Sequence, residues 1–252
     1  MLHFDDIVFG PIVSRRLGSS LGMNILPVKG KLCNFDCVYC ECGWNKDGIS
    51  DRRYPSSSDV YMALEHRLLQ LSSESVAVDS ITFSGNGEPT LHPEFSQIID
   101  DTLKLREKYF PSAKVSVLSN ATMLGKESVM NALMRIDNPI MKIDASSDEL
   151  IALVNRPAGS YRLDDVVNNL KRFNGNFVLQ TMFLKSSEFN TAAQEALEGW
   201  MNIVRELHPR EVMVYTIDRE TPDKTLEKYS VEEMGTIVRP LIDEGFEIQI
   251  RG

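Results

Sequence analysis

The sequence predicts an α/β protein folded as a partial (β/α)6 TIM-like barrel. Short apolar stretches alternate with helical patterns of ten or more residues, which implies crossover connections and a parallel sheet. Six such units fit a chain of 252 residues. A closed eight-unit barrel uses about 250 residues, whereas roughly fifty residues here form an opening strand and a cysteine-rich loop. A six-unit, partly open barrel therefore fits the length better.

The strands are predicted from short apolar runs bounded by turn residues. Gln180 is a polar residue among apolar ones in the fifth run, and the last run is the shortest. The predicted strands span residues 21–28, 80–84, 114–119, 139–144, 177–183 and 211–217, with a final short strand at 247–250.

The helices are predicted from apolar residues at helical spacing, as in Val60, Leu64, Leu68 and Leu71 of the first one. Ser58 or Asp59 is its expected cap, and Pro93 is expected to begin the second helix. The predicted helices span residues 59–73, 93–108, 126–135, 163–173, 191–207 and 231–244. No internal repeat or linker interrupts this order, so we expect one domain over residues 1–252.

Composition is ordinary for a globular protein, with 42% hydrophobic and 25% charged residues. The net charge of −9 argues against a globally basic nucleic-acid binder. Residues 1–57 carry seven Lys/Arg and six Asp/Glu, however, and Arg15, Arg16, Arg52 and Arg53 flank the cysteine loop. The amino-terminal residues do not resemble a signal peptide, and no apolar run approaches about 18 residues. We therefore expect a cytoplasmic protein without a membrane segment.

Three thiols lie within eight residues of the loop spanning residues 29–44, in the spacing C-x3-C-x2-C: Cys33, Cys37 and Cys40. Three thiolates can hold three corners of an iron–sulfur cubane, whose full set of protein ligands would be four, so the remaining iron would be open. Zinc would recruit Cys42, but zinc ligands usually come as two separated pairs. A disulfide needs an oxidising compartment. Cys42 is interpreted as a small, semi-buried neighbour outside the ligand set.

This spacing, with Tyr39 immediately before the last cysteine, resembles the radical S-adenosylmethionine (radical SAM) enzymes. The resemblance implies that the three cysteines hold a [4Fe-4S] cluster whose open iron binds the amino and carboxylate groups of SAM. It implies reductive cleavage of SAM to a 5′-deoxyadenosyl radical that abstracts hydrogen from a substrate. It also implies an electron donor such as flavodoxin or ferredoxin, and places Tyr39 near the adenine.

The second predicted strand runs into Gly85, Asn86, Gly87 and Glu88, which is similar to the glycine- and glutamate-containing SAM-binding stretch of that family. The resemblance implies contacts from this segment to the SAM ammonium. A tight strand-to-helix turn is the other interpretation. The family often has Gly-Gly-Glu here, and the interposed Asn86 is a departure from it.

Three further strand ends carry candidate polar residues. Ser119 or Asn120 at the mouth of the third strand is predicted to contact SAM, although Asn is also a common turn residue. Lys142 and Asp144 share one strand face, which predicts contacts to the SAM carboxylate and to ribose or substrate, or else a structural ion pair. Gln180 is predicted to contact SAM or to satisfy neighbouring polar groups.

Beyond the last of these strands, Arg219 is a candidate for positioning an anionic substrate, with an ordinary surface arginine as the alternative. Together with Lys142 and Asp144 it makes up the predicted catalytic group.

The segments 9–18, 20–22, 155–157 and 215–219 resemble the radical SAM group related to the tRNA wyosine-synthesis enzymes. Those enzymes carry additional upstream cysteines for a second cluster, and this chain has none before Cys33. We therefore predict that the substrate is not the tRNA base of the wyosine enzymes. Two substrate classes remain open: an RNA base, and a protein, peptide or small metabolite. The alternative to an enzyme is a non-catalytic module that binds a cluster or zinc.

Overall fold

The computed structural model describes residues 4–14, 17–47 and 53–252. Its strands, in chain order, are β1 (Val8–Ser14), β2 (Gly18–Met23), β3 (Ser80–Phe83), β4 (Lys114–Ser119), β5 (Asn138–Lys142), β6 (Val178–Met182), β7 (Leu184–Lys185), β8 (Glu211–Tyr215), β9 (Glu227–Lys228) and β10 (Ile248–Arg251). Eight of them form one sheet in the order β1-β2-β3-β4-β5-β6-β8-β10, and β7 pairs with β9. Every neighbour in the large sheet is parallel except β1, which is antiparallel to β2.

Helices occupy the crossovers between these strands. They are α1 (Ser57–Ser73), α2 (Phe95–Tyr109), α3 (Glu127–Leu133), α4 (Asp148–Val154), α5 (Leu163–Leu170), α6 (Gln194–Leu207) and α7 (Val231–Asp243). This alternation confirms the predicted α/β fold, a mostly parallel, curled half-barrel.

Several predicted boundaries are wrong, three of them in the first part of the chain. The opening strand was expected to span residues 21–28, but β2 spans Gly18–Met23. The cap of α1 is Ser56, whose side chain accepts from Asp59 N while the Asp59 carboxylate accepts from Ser56 N. Helix α2 begins at Phe95 rather than Pro93.

Alternation within each strand separates two environments. In β3, Ile81 and Phe83 belong to the large apolar core, whereas the hydroxyls of Ser80 and Thr82 lie on the opposite, inner face of the sheet. There Thr82 Oγ1 is 2.7 Å from Ser20 Oγ, and Ser80 Oγ is 2.9 Å from Ser116 Oγ. Polar residues of the inner face are therefore paired across strands rather than left without hydrogen bonds.

A small apolar layer crosses the inner face farther along the sheet. Ile140, Val178 and Met213 form it from three neighbouring strands. One step nearer the carboxyl ends, Lys142 is in register with Gln180. The inner face of the sheet thus carries an apolar layer in its middle and polar side chains at the carboxyl ends of the strands. Side chains from several strands meet at those ends.

Candidate active site

A cavity of about 470 Å³ opens at the carboxyl ends of the parallel strands. It brings together eleven of the residues singled out from the sequence: Cys33, Cys37, Tyr39, Cys40, Gly87, Glu88, Ser119, Asn120, Lys142, Gln180 and Arg219. Gly85, Asn86 and Asp144 are not among its lining residues. The cavity therefore unites most of the predicted site, although its members come from six separate stretches of the chain.

The first side of the cysteine loop is held against the segment that follows β3. Leu32 N donates to Asn86 O at 2.8 Å, and Glu88 N donates to Leu32 O at 3.1 Å. Gly87 lies between them at φ +142°, and a Cβ there would meet Leu32 O at 1.9 Å. Only glycine permits this close approach of two backbones.

Replacing Gly87 with alanine is expected to cost at least about 1–3 kcal/mol of stability from backbone strain alone, and to displace the start of the cysteine loop. Urea unfolding and iron uptake measure the two effects. Gly125→Ala is the matched control, since a Cβ at Gly125 has no atom within 4 Å. Equal stability of the two variants would contradict this account of the loop contact.

The second side of the loop pairs with the end of α4. Val38 N donates to Val154 O at 3.0 Å, and Asp36 N donates to Asn155 O at 2.9 Å. Farther along, Asp223 N donates to Val38 O at 3.2 Å. The loop lacks regular secondary structure at its cysteines, but its backbone is hydrogen bonded here to the end of α4 and to Asp223.

Two of the three predicted ligand sulfurs each accept a hydrogen bond from a nitrogen. Phe35 N is 3.3 Å from Cys33 Sγ, and Asn155 Nδ2 is 3.3 Å from Cys37 Sγ. Burial raises the pKa of Cys33, and it raises the pKa of Cys37 to about 11. Donors aimed at buried sulfurs suit thiolates bound to a metal, whose charge they stabilise.

Cys40 has a different environment. Its pKa is lowered to about 6, chiefly by the neighbouring Cys42 thiol, while the interaction between the two thiols raises the pKa of Cys42. The Lys31 ammonium lies nearby, buried and paired with Asp36 Oδ1 at 3.1 Å. Burial acts to lower the pKa of Lys31, but the surrounding thiols raise it. A buried ammonium beside three thiols would stabilise the negative charge of those cysteines when they are deprotonated.

Within residues 4–14, 17–47 and 53–252, no three Cys, His, Asp or Glu side chains are arranged to hold one metal ion. A cubane makes a different demand on its ligands, because each thiolate binds its own iron. The donors at Cys33 and Cys37 and the cation near Cys40 fit that donor set.

Glu88 is 3% exposed and lines the cavity. Its carboxylate accepts from Ser119 Oγ at 2.9 Å, from Asn120 N at 2.7 Å and from Thr90 N at 3.1 Å. Burial raises the pKa of Glu88, and these hydrogen bonds oppose the rise. They fix the orientation of the carboxylate at the cavity wall and join the predicted Glu88 and Ser119–Asn120 contacts in one unit.

Gly85 and Asn86 lie behind this wall. Asn86 is fully buried, with its Nδ2 donating to Phe4 O at 2.9 Å and its N donating to Asn24 Oδ1 at 3.0 Å. A Cβ on Gly85 would meet Asn24 Oδ1 at 2.1 Å. The structure thus places both residues where they pack the segment around Asn24.

Lys142 and Asp144 form the ion pair anticipated from their spacing, with Lys142 Nζ 3.5 Å from Asp144 Oδ1. The Tyr39 hydroxyl donates to Asp144, and Lys142 Nζ also bonds to the Tyr215 hydroxyl. Burial acts to lower the pKa of Lys142, but Asp144 raises it, so the ammonium stays charged. Asp144 lies beneath the wall, whereas Lys142 reaches the cavity.

The last two candidates differ in exposure. Gln180 is 3% exposed on the inner face of β6, and its side chain lines the cavity. Arg219 lies at the rim, with its Nη1 2.6 Å from Glu41 Oε2 and a side chain that is 60% exposed. Arg219 is therefore a paired rim residue rather than a member of the buried polar network.

Of the four arginines that flank the loop in sequence, Arg15, Arg16 and Arg52 lie outside the described residues. Arg53 is described and exposed. Of these four residues, only Arg53 can be compared with the cavity, and it is not among the cavity's lining residues.

Three residues of the site were missed from the sequence. Tyr215 bonds to Lys142 and Asn155 bonds to Asp144. The third, Lys31, lies close enough to the three predicted ligand thiols to interact with their charge. Tyr215 and Asn155 lie in segments that resemble the wyosine-related group, which was the available signal. Nothing in the sequence distinguished Lys31 from an ordinary surface lysine.

The described part of the chain contains no helix with both the length and the apolar character that crossing a bilayer requires.

The chain is similar to known proteins in sequence and in fold. Residues 28–186 match the model of the radical SAM superfamily. A UPF0026 protein of Methanocaldococcus jannaschii is 29% identical over 237 residues, covering 92% of this chain and 70% of that protein. A radical SAM methyltransferase from Sphaerobacter thermophilus has a similar structure, with a TM-score of 0.69 and 15% identity over 92% of this chain and 66% of that one.

Archaeal TYW1 is a more distant structural neighbour, with a TM-score of 0.53 and 12% identity over 90% of this chain and 72% of that one. This chain thus spans roughly two thirds to three quarters of the length of these three proteins. The family match covers the cysteine loop, the segment from β3 to β6, and Lys142 with Asp144. With the half-barrel fold it leads to one conclusion: the chain belongs to the radical SAM superfamily and is an enzyme.

Proposed function

We propose that this enzyme binds a [4Fe-4S] cluster through Cys33, Cys37 and Cys40, binds SAM in the adjoining cavity, and uses the resulting radical to take hydrogen from a substrate. The observation that carries the proposal is the cavity itself, which the three cysteines share with Glu88 and Lys142. Residues 1–252 would act as one domain. A bound, reduced cluster would supply the electron that cleaves SAM to methionine and a 5′-deoxyadenosyl radical.

The chain's own residues would bind and orient SAM. Glu88 presents a carboxylate and Lys142 an ammonium to the same cavity, so the two charges complement the ammonium and carboxylate of an amino acid zwitterion. Tyr39, Gly87, Ser119, Asn120 and Gln180 line the wall around them, where adenine and ribose would lie. Asp144 would act from beneath by holding Lys142 in place.

The substrate would enter at the rim, where Ile12, Val13 and Arg219 line the mouth. Val13 is 90% exposed and Ile12 is 49% exposed, so the rim offers apolar surface beside a guanidinium. We keep the kinship with the wyosine-related group as a proposal, supported by the likeness to archaeal TYW1. Wyosine chemistry itself is not proposed, since a likeness at 12% identity shows the fold alone.

The test is anaerobic reconstitution with iron and sulfide, followed by SAM and a strong reductant. We expect 5′-deoxyadenosine and methionine in chromatography with mass detection. Lys142→Met is expected to keep the iron but to weaken SAM binding at least about tenfold, equivalent to 1.4 kcal/mol. Lys104→Met, at a lysine whose side chain is 69% exposed, is the matched control.

Loaded wild-type protein that leaves SAM intact would overturn the proposed function. Unchanged SAM affinity in Lys142→Met would restrict Lys142 to its ion pair with Asp144.

A further inference from the structure

Asn155 connects the cysteine loop to the buried network of the barrel. Its Nδ2 lies 2.7 Å from Asp144 Oδ2, 3.3 Å from Cys37 Sγ and 3.1 Å from the Tyr39 hydroxyl oxygen. An amide nitrogen has two hydrogens to donate. The carboxylate takes one of them, and the sulfur shares the other with the hydroxyl oxygen, whose own hydrogen goes to Asp144.

The oxygen of the same side-chain amide makes no hydrogen bond of this kind within the described part of the chain. Asn155 Oδ1 is buried and accepts no hydrogen bond from the described residues. The carboxylate and sulfur neighbours require the NH2 group to point toward them, because both are acceptors. A buried polar atom without a partner costs free energy, so Asn155 is held in place for what its nitrogen donates.

The backbone makes the position of Asn155 rigid. It terminates α4, with its N–H donating to Ile151 O, and its carbonyl accepts from Asp36 N at 2.9 Å. The next residue, Arg156, has φ +47°. A left-handed residue turns the chain sharply after the helix, so the side chain of Asn155 is fixed beside Cys37 by its own helix end.

We propose that Asn155 is a positioning residue that raises the reduction potential of the cluster by donating a hydrogen bond to the Cys37 sulfur. The proposal rests on the proposed function, since it requires a cluster bound at Cys37. Reduction adds negative charge to a cluster and its thiolates, and a donor to a ligand sulfur stabilises the more negative state. Asn155 also stands between that sulfur and the Asp144 carboxylate, whose charge would act in the opposite direction.

The experiment is an anaerobic redox titration of the reconstituted protein without SAM, followed by electron paramagnetic resonance. Asn155→Leu and Asn155→Asp both remove the NH2 group at similar size. Each is expected to give a more negative midpoint potential than wild type, at the same iron content. Asn24→Leu is the control, because Asn24 is equally buried but bonds to Phe4 O and to the Leu26 and Asn86 N–H groups rather than to sulfur.

Potentials in both Asn155 variants equal to wild type would overturn the proposal. So would an equal fall in Asn24→Leu, since that would make the effect a general consequence of losing a buried asparagine. Absence of any cluster signal in wild type would instead be a failure of the proposed function, so the two results are distinguishable.

A second measurement needs no change at Asn155. Asparagine carrying ¹⁵N in its side chain would be incorporated, and pulsed electron paramagnetic resonance of the reduced cluster would detect ¹⁵N coupled to it. Among the described residues, Asn120 is the other asparagine whose amide hydrogen bonds to a ligand sulfur, with its Nδ2 3.9 Å from Cys33 Sγ. The coupling is expected to persist in Asn120→Ala. Its absence there would overturn the proposal even if the Asn155 variants fail to bind iron.

Discussion

Replacing any one of Cys33, Cys37 and Cys40 with alanine is expected to abolish both stable iron binding and SAM cleavage. Each variant leaves two thiolates where a site-differentiated cubane needs three, and no spare ligand is proposed. Iron and sulfide analysis after reconstitution, together with the yield of 5′-deoxyadenosine, measures the loss. We expect the yield to fall to background in all three variants.

Cys42→Ala is the matched control, because Cys42 lies two residues from Cys40 in the same loop and its thiol lowers the pKa of Cys40. We expect this variant to retain the cluster and cleave SAM. If Cys42→Ala loses iron while one of the other three variants retains it, the ligand assignment is wrong and Cys42 belongs to the set.

The second large effect is expected at Asp144, whose carboxylate is fully buried. It accepts from Asn155 Nδ2 at 2.7 Å and from Met182 N at 2.8 Å, and it pairs with Lys142. Asp144→Asn would leave the Lys142 ammonium without its carboxylate partner. It would also place an NH2 group, itself a donor, beside the donors Asn155 Nδ2 and Met182 N. Removing one partner of a buried ion pair costs about 3–5 kcal/mol, and we expect about 3 kcal/mol because the Lys142 side chain keeps 18% exposure.

Urea unfolding of the reduced, metal-free protein measures this loss. The double variant Asp144→Asn/Lys142→Met should recover about 1–3 kcal/mol relative to the sum of the single variants, since it removes the unpaired charge as well. Asp101→Asn is the control at a more exposed pair, Lys104–Asp101 at 3.1 Å, where a change below about 1 kcal/mol is expected. Strict additivity at Asp144 and Lys142 would contradict the coupling inferred from the structure.

Local patterns predicted the framework of this protein well. The strand predicted at 114–119 has the bounds of β4, and most other boundaries lie within a few residues of those observed. Four of the strands and helices were missed, and two of them, β7 and β9, have only two residues each. Strand β1 contains Gly10 and Pro11, which break its alternation and produce a register shift against β2, and α4 has only seven residues. Short or interrupted elements carry too few periods to stand out.

The site was predicted unevenly, and the division has a physical cause. Spacing along the chain was enough to select Cys33, Cys37 and Cys40, since all three ligands lie in one loop. The polar residues at strand ends were found because parallel strands present their carboxyl ends at one edge. Whether such a side chain faces the cavity or the protein interior depends on tertiary packing, which the sequence pattern does not reveal. For this reason Asn86 and Asp144 were predicted as site residues together with residues that line the cavity, although neither of them lines it.

By itself, then, the sequence determined the α/β class, the order of strands and helices, and the cysteine loop, because periodicity and spacing are local properties of the chain. Only the tertiary structure decided the partners of the buried polar groups. Asn155 meets Cys37 across 118 positions of sequence, and Lys142 meets Tyr215 across 73. A buried donor takes whichever acceptor the packed strands bring within reach, and no pattern along one segment records which segment that will be.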